Sequence, residues 1–138
     1  MTRSFDSSVL PEARNLHVAL VVSQYHRDVT DRLRQGALAG LKQAGTDEED
    51  VEVVEVPGTF EIPLAARSAA ESGRFNAVVC LGCVIKGETP HFDFISKTTF
   101  EAIMNLSIQS KKPIGNGIIT ALNMSQVNQR SGDPEVVL

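Results

Sequence analysis

Ala77-Val-Val-Cys-Leu-Gly-Cys-Val-Ile85 runs directly into Lys86-Gly-Glu-Thr-Pro-His91 and then into Phe92-Asp-Phe-Ile95. An unbroken apolar run, rich in valine, predicts a strand buried on both faces, the condition of a parallel sheet covered by helices on either side. The hexapeptide with glycine and proline then ends the strand and opens a helix. Strand, loop and helix in that order form the repeating unit of an α/β fold.

Working outward, the same alternation recurs. Upstream, His17-Val-Ala-Leu-Val-Val22 and Val51-Glu-Val-Val-Glu-Val56 read as strands, and downstream Ile114 to Thr120 is a glycine-rich fourth. Between the first two, Asp28 is placed to cap a helix whose Val29, Leu33, Ala37 and Leu41 recur at helical spacing, with Gly45 as its stop. Pro57-Gly58 turns the chain, and Pro63 suits the first turn of a small-residue helix ending near Gly73. A long helix from about Phe92 to Ser110 carries Ile95, Ile103, Met104 and Leu106 on or near one face, with Pro113 stopping it. A short helix from about Met124 to Arg130 follows. Four parallel strands with helices on both faces make a three-layer α-β-α sandwich, and residues 1–138 read as a single domain. Ligands in such sheets bind beyond the carboxyl ends of the strands, near a topological switch point. Residues 23–26, 57–61, 86–91 and 116 are expected there.

Composition narrows the classes. A hydrophobic fraction of 42% with 22% charged residues is that of an ordinary globular chain. A formal net charge of −4 argues against a duplex nucleic-acid binder, which needs a clustered basic face. No run reaches the roughly 18 apolar residues of a membrane span, and the first residues lack the apolar core of a secretory signal, so the cytoplasm is the expected compartment. Cys80-Leu-Gly-Cys83 resembles a redox or zinc motif in spacing only. Three steps along a strand separate alpha carbons by about 10 Å and send the side chains to opposite faces. A disulfide needs less than about 7 Å.

Three segments carry candidate chemistry. Lys86-Gly-Glu-Thr-Pro-His91 offers unpaired N–H groups at a helix start, an anion site in outline, or else a plain turn capped by Thr89. It fits neither nucleotide-binding glycine fingerprint. His91 lies in the first helical turn, where the positive end of the dipole disfavours an imidazolium and suits a ring that exchanges protons. His17 and His26 read as surface or capping residues. In Pro57-Gly-Thr-Phe-Glu-Ile-Pro63, Phe60 either fills the core or walls a pocket, and Glu61 either favours a helix start or binds hydroxyls. Tyr25, the single tyrosine, either stacks on a flat heterocycle or is a loop aromatic.

Pro57-Gly-Thr-Phe-Glu-Ile-Pro63 and Gly82-Cys-Val-Ile-Lys-Gly-Glu-Thr-Pro-His-Phe-Asp-Phe-Ile95 together resemble the lumazine synthase family. The spacing between them, and onward to Gly117-Ile-Ile-Thr120 and Gln126-x-x-x-Arg130, is similar to that family without gaps, over about residues 16 to 132. The resemblance implies a flavodoxin-like fold. It also implies a transferase of riboflavin biosynthesis that uses no cofactor or metal. The implied reaction condenses 5-amino-6-(D-ribitylamino)uracil with 3,4-dihydroxy-2-butanone 4-phosphate, giving 6,7-dimethyl-8-ribityllumazine, phosphate and water.

By position, the resemblance places Tyr25 on the pyrimidine, where the family usually has Phe or Trp. Thr59, Phe60 and Glu61 line the pyrimidine and ribityl site, with Glu61 facing the ribityl hydroxyls. The backbone of Cys83, Val84 and Ile85 reads the pyrimidinedione edge. Glu88 and Thr89 hold phosphate opposite Arg130, whose planar fork suits phosphate oxygens. His91 moves protons. Asn116 stands where the family often has Phe, making one side of the ring pocket more polar.

The resemblance further implies homopentamers with active sites shared between subunits, twelve pentamers sometimes closing into an icosahedral capsid of 60 subunits, and riboflavin synthase as a partner. Residues 1–15 resemble a segment that adds a strand to a neighbour's sheet. After Arg130 the family continues with Asn-Lys-Gly and an amphipathic helix, whereas here the sequence reads Ser131-Gly-Asp-Pro-Glu-Val-Val-Leu138. That difference predicts an uncovered sheet flank, buried only in an oligomer. It keeps open a catalytically weak shell subunit, or a flavin-binding module of the same fold.

Overall fold

The computed structural model describes residues 12–132. Within them the order is β1 (Val18–Ser23), α1 (Arg27–Gln43), β2 (Val51–Val56), α2 (Ile62–Glu71), β3 (Ala77–Ile85), α3 (His91–Ser110), β4 (Ile114–Ala121) and α4 (Met124–Ser131). The strands form one sheet in the order β2-β1-β3-β4, every pair parallel. This is the expected three-layer α/β architecture. No helix among the described residues is long and apolar enough to cross a membrane.

The period of two along each strand sorts the side chains into two cores. Ala19, Val21, Val78, Cys80, Val84 and Ile118 pack with Ile62, Ala66 and Ala69 of α2 and Ile103 and Leu106 of α3. On the opposite face, Leu20, Val22 and Leu81 meet Leu33, Ala37 and Leu41 of α1, while Cys83, Ile119 and Ala121 meet Val29 of α1 and Val127 of α4. The two cysteines are free and buried in opposite layers, as the strand geometry required. Burial pushes the Cys80 thiol up to about 12. Burial, together with the Asp28 carboxylate, raises Cys83 to about 11 against the lowering pull of Arg32. Both stay protonated at neutral pH.

Several local expectations need correction. Asp28 does not cap α1; it lies in the first turn, and His26 takes the N-cap position at φ 58°. The chain must reverse within three residues of β1, and the left-handed residue makes that turn. The N–H groups of Val29 and Thr30 both donate to the His26 carbonyl at 3.0 Å, which offsets the strain. Gly45 does stop α1: at φ 99° it donates to Lys42, and Thr46 donates to Leu41, the two bonds of a Schellman turn. Pro113 is not what ends α3, because Lys111 at φ 57° already turns the chain. Met104, expected near the buried face, is 66% exposed. It lies about 200° around the helix from Leu106, which is buried.

Residues 12–15 form no strand; Ala13 donates to Ala44 and accepts from Thr46 beside the end of α1. The rest of the segment expected to add a strand to a neighbour, and Val136, Val137 and Leu138, lie outside the described residues.

Candidate active site

The neighbouring strands β1 and β3 are where the connections diverge, one passing outward to β2 and the other to β4. Loops leaving two such strands part from each other and leave a crevice. From β1, the buried hydroxyl of Ser23 accepts from Tyr25 N–H at 3.2 Å, and Gln24 N–H extends the ladder to Val56 at 2.8 Å. Tyr25 therefore emerges at the rim, 66% exposed, with the His26 ring set edge-on against it at 4.6 Å.

From β2, the chain makes a 3-10 turn over Thr59–Glu61, with Glu61 N–H donating to Gly58. Thr59 is buried because β3 carries no side chain beneath it. A Cβ on Gly82 would meet the Thr59 hydroxyl at 3.0 Å and Ile62 Cδ1 at 3.1 Å. Glycine at this position lets the turn seat on the sheet, which lifts Phe60 and Glu61 to the rim. Phe60 is 63% exposed, so it walls the crevice and does not fill the core.

Cys83, Val84 and Ile85 form the floor where β3 ends. His91 opens α3 beyond an exposed loop, and Ile95 stands one turn further along. The N-cap of α3 is Pro90, which no side chain caps, so Thr89 does not close the helix start as a plain turn would. Together these parts enclose a cavity of about 670 Å³. It also takes in His26 and Gly58.

Eight candidate residues thus meet in one cavity: Tyr25, Thr59, Phe60, Glu61, Cys83, Val84, Ile85 and His91. His26 and Ile95 also line it; His26 falls in the 23–26 stretch expected there but reads singly as a surface or capping residue, and Ile95 reads only as a face residue of the helix. The signals were faint but present. His26 adjoins Tyr25 at a strand end, and Ile95 follows His91 by the four residues that place two side chains on one helix face.

The other four candidates lie elsewhere. Glu88 and Thr89 sit in the exposed loop and do not line the cavity. Asn116 was expected at a strand's carboxyl end, yet it is the third residue of β4, in register with Cys80 and not with the floor residues. Its side-chain oxygen accepts from Ile118 N–H at 3.0 Å. Arg130 donates to the Thr120 carbonyl at 2.9 Å. The neighbouring Ala121 carbonyl accepts from Lys86 and so faces β3. Carbonyls alternate along a strand, so Thr120 and the guanidinium on it face the open edge of β4, away from the cavity.

Among the described residues no lysine or arginine lines the cavity; the one carboxylate there is Glu61, and the two imidazoles are His26 and His91. Apolar walls, one carboxylate, exposed backbone at a strand end and a histidine at a helix start can grip a flat polar ring with a hydroxylated tail and move protons beside it. They cannot by themselves neutralise a phosphate.

Comparison with known proteins agrees. Residues 15–136 match the family model described as 6,7-dimethyl-8-ribityllumazine synthase. Over 115 residues the chain is 41% identical to a 6,7-dimethyl-8-ribityllumazine synthase of Campylobacter curvus (strain 525.92), covering 83% of this chain and 74% of that protein. The chain therefore belongs to the 6,7-dimethyl-8-ribityllumazine synthase family.

Proposed function

We propose that the crevice between β1 and β3 is where this chain carries out the family's reaction, joining 5-amino-6-(D-ribitylamino)uracil to 3,4-dihydroxy-2-butanone 4-phosphate. The observation that carries the reading is the meeting of Tyr25, Glu61, the Cys83–Ile85 backbone and His91 around one cavity. Tyr25 stacks on the pyrimidine, with Thr59 and Phe60 enclosing it. Glu61 accepts from the ribityl hydroxyls, and the strand end reads the pyrimidinedione. An amine attacks a ketone, water leaves to give an imine, phosphate is eliminated, and the ribitylamino nitrogen closes the ring on the remaining carbonyl with loss of a second water. These steps are mostly proton transfers between reactants held in place, the work of a positioned histidine.

The phosphate falls to the Glu88–Thr89 loop amides and to Arg130. Because Arg130 and Asn116 face the open edge of β4, they serve the crevice of a neighbouring subunit. Apolar side chains support such an assembly: Phe94, Met104 and Ile108 are each more than 60% exposed and fall within about 80° of arc on α3. Exposed apolar surface of this kind marks an interface. A pentamer is the expected unit, free or in a shell, with the cytoplasm as its compartment and riboflavin synthase as a partner.

Incubating the purified protein with both substrates and following lumazine fluorescence tests the reading. Turnover that needs both substrates supports it. Tight binding of the ring without product would instead favour a weak shell subunit or a flavin-binding module.

A further inference from the structure

Helix α4 carries Arg130, yet it has eight residues and spans only about 12 Å. A helix that short has no stability of its own, so its rotation is set by what grips it. Among the described residues, four ties are present apart from Arg130's own. Asn123 accepts from Gln126 N–H and the Gln126 side chain accepts from Leu122 N–H at the first turn, Val127 is fully buried among Val29, Cys83 and Ile119, and Arg32 of α1 alone holds the last turn. Arg32 Nη2 donates to Asn128 Oδ1 at 3.0 Å and to Ser131 Oγ at 3.1 Å. The Ser131 hydroxyl donates its own hydrogen to Val127 at 2.8 Å, so its lone pairs are free to receive the guanidinium. Gly132 then closes on the same side chain so tightly that a Cβ there would lie 2.9 Å from Arg32 Nε.

Asn128 and Ser131 are three apart and share the face turned to α1. Arg130 lies about 200° from the first and 100° from the second, turned away from α1 and toward the β4 edge. Fixing the Asn128–Ser131 face therefore fixes the direction of Arg130, whose remaining tie is a single bond to the Thr120 carbonyl.

We infer that Arg32 is a positioning residue for Arg130: its grip on Asn128 and Ser131 aims the Arg130 guanidinium out from the β4 edge. The inference rests on the phosphate role proposed for Arg130. Removing the grip should raise KM for the phosphorylated substrate by about five- to tenfold, the scale of one or two hydrogen bonds. KM for the ribitylaminouracil should stay the same.

The experiment measures both KM values and kcat for Arg32→Ala, Arg130→Ala and the double variant. The expected result is a KM rise confined to the phosphorylated substrate in each single variant. In the Arg130→Ala background, Arg32→Ala should add nothing, because it acts through the group already removed. An additive double variant, equal rises for both substrates, or an unchanged KM in Arg32→Ala would overturn the inference while leaving Arg130 on the phosphate. An unchanged KM in Arg130→Ala would overturn the phosphate role, and this inference with it. If Arg32→Ala does not fold, Asn128→Ala and Arg32→Lys carry the same test, each weakening the grip in part, with the same two outcomes.

Discussion

The crevice and the open edge of β4 lie one strand apart and are built in opposite ways. The crevice is held by dense packing: Thr59 sits on Gly82, Ile62 is fully buried beneath, and the Cys83–Ile85 floor is paired to β4 residue by residue. The edge side chains are held by single hydrogen bonds, Asn116 to Ile118 N–H and Arg130 to the Thr120 carbonyl, with both residues exposed. Among the described residues the crevice has walls, ring and imidazoles but no lysine or arginine; the edge has Arg130 but no wall. On the proposed reading, the comparison teaches that a single chain makes two halves of a site facing different ways. Ring recognition needs a shape set by the core, whereas a phosphate clamp can come from any surface that docks alongside.

The largest effect should come from the crevice. His91→Ala is expected to slow turnover by about 10², the lower end for losing one acid–base group, since aligned reactants still react slowly. A single-turnover rate equal to wild type would remove His91 from the chemistry. Next, Arg130→Ala should weaken the phosphorylated substrate about ten- to a hundredfold, the cost of a charge-assisted bond, and spare the uracil. Mixed oligomers of His91→Ala and Arg130→Ala should be more active than either parent, because some sites then pair an intact wall with an intact clamp. No gain on mixing would show that both halves act within one chain.

Gly82→Ala tests the packing itself. The added methyl meets the buried Thr59 and Ile62, and overpacking of this kind costs about 1–3 kcal/mol. The melting temperature should fall by roughly 3–10 °C. KM for the ribitylaminouracil should rise as the turn bearing Phe60 and Glu61 lifts; a stable variant with unchanged KM would mean the turn tolerates displacement.

The smallest effect is silent at neutral pH. Cys80 titrates near 12 in the fold, above its ordinary value of 9.0, so the folded state holds its proton more tightly than the unfolded chain. That contribution is fully present below about pH 9 and is lost as pH rises toward 12. Between pH 9 and 10, Cys80 alone should lose about 1 kcal/mol and Cys83 should add a loss of its own, so Cys80→Ala should lower, but not abolish, the slope in denaturant titrations. An identical slope in the variant would show that Cys80 ionises freely in the folded protein.

Much of this was legible in the chain. The apolar runs at His17–Val22 and Ala77–Ile85 read as strands covered on both sides, and the alternation of side chains already placed Cys80 and Cys83 on opposite faces. Gly45 could be read as a helix stop because a left-handed residue favours glycine. His26 could not be read that way, since nothing in its type announces φ 58°; it is the tight return from β1 to α1 that imposes it. Phe60 was open between core and wall until the seat on Gly82 settled which way the 3-10 turn faces.

Local residue chemistry thus determined the strands, the helices and which loops carry reactive groups, because periodicity and chain reversal act over a few residues. The placing of Asn116 and Arg130 on an outward edge was decided only by the tertiary structure. It depends on β4 being last in the sheet and on the hand of its carbonyl alternation, set by pairing with a strand some thirty-five residues away in sequence.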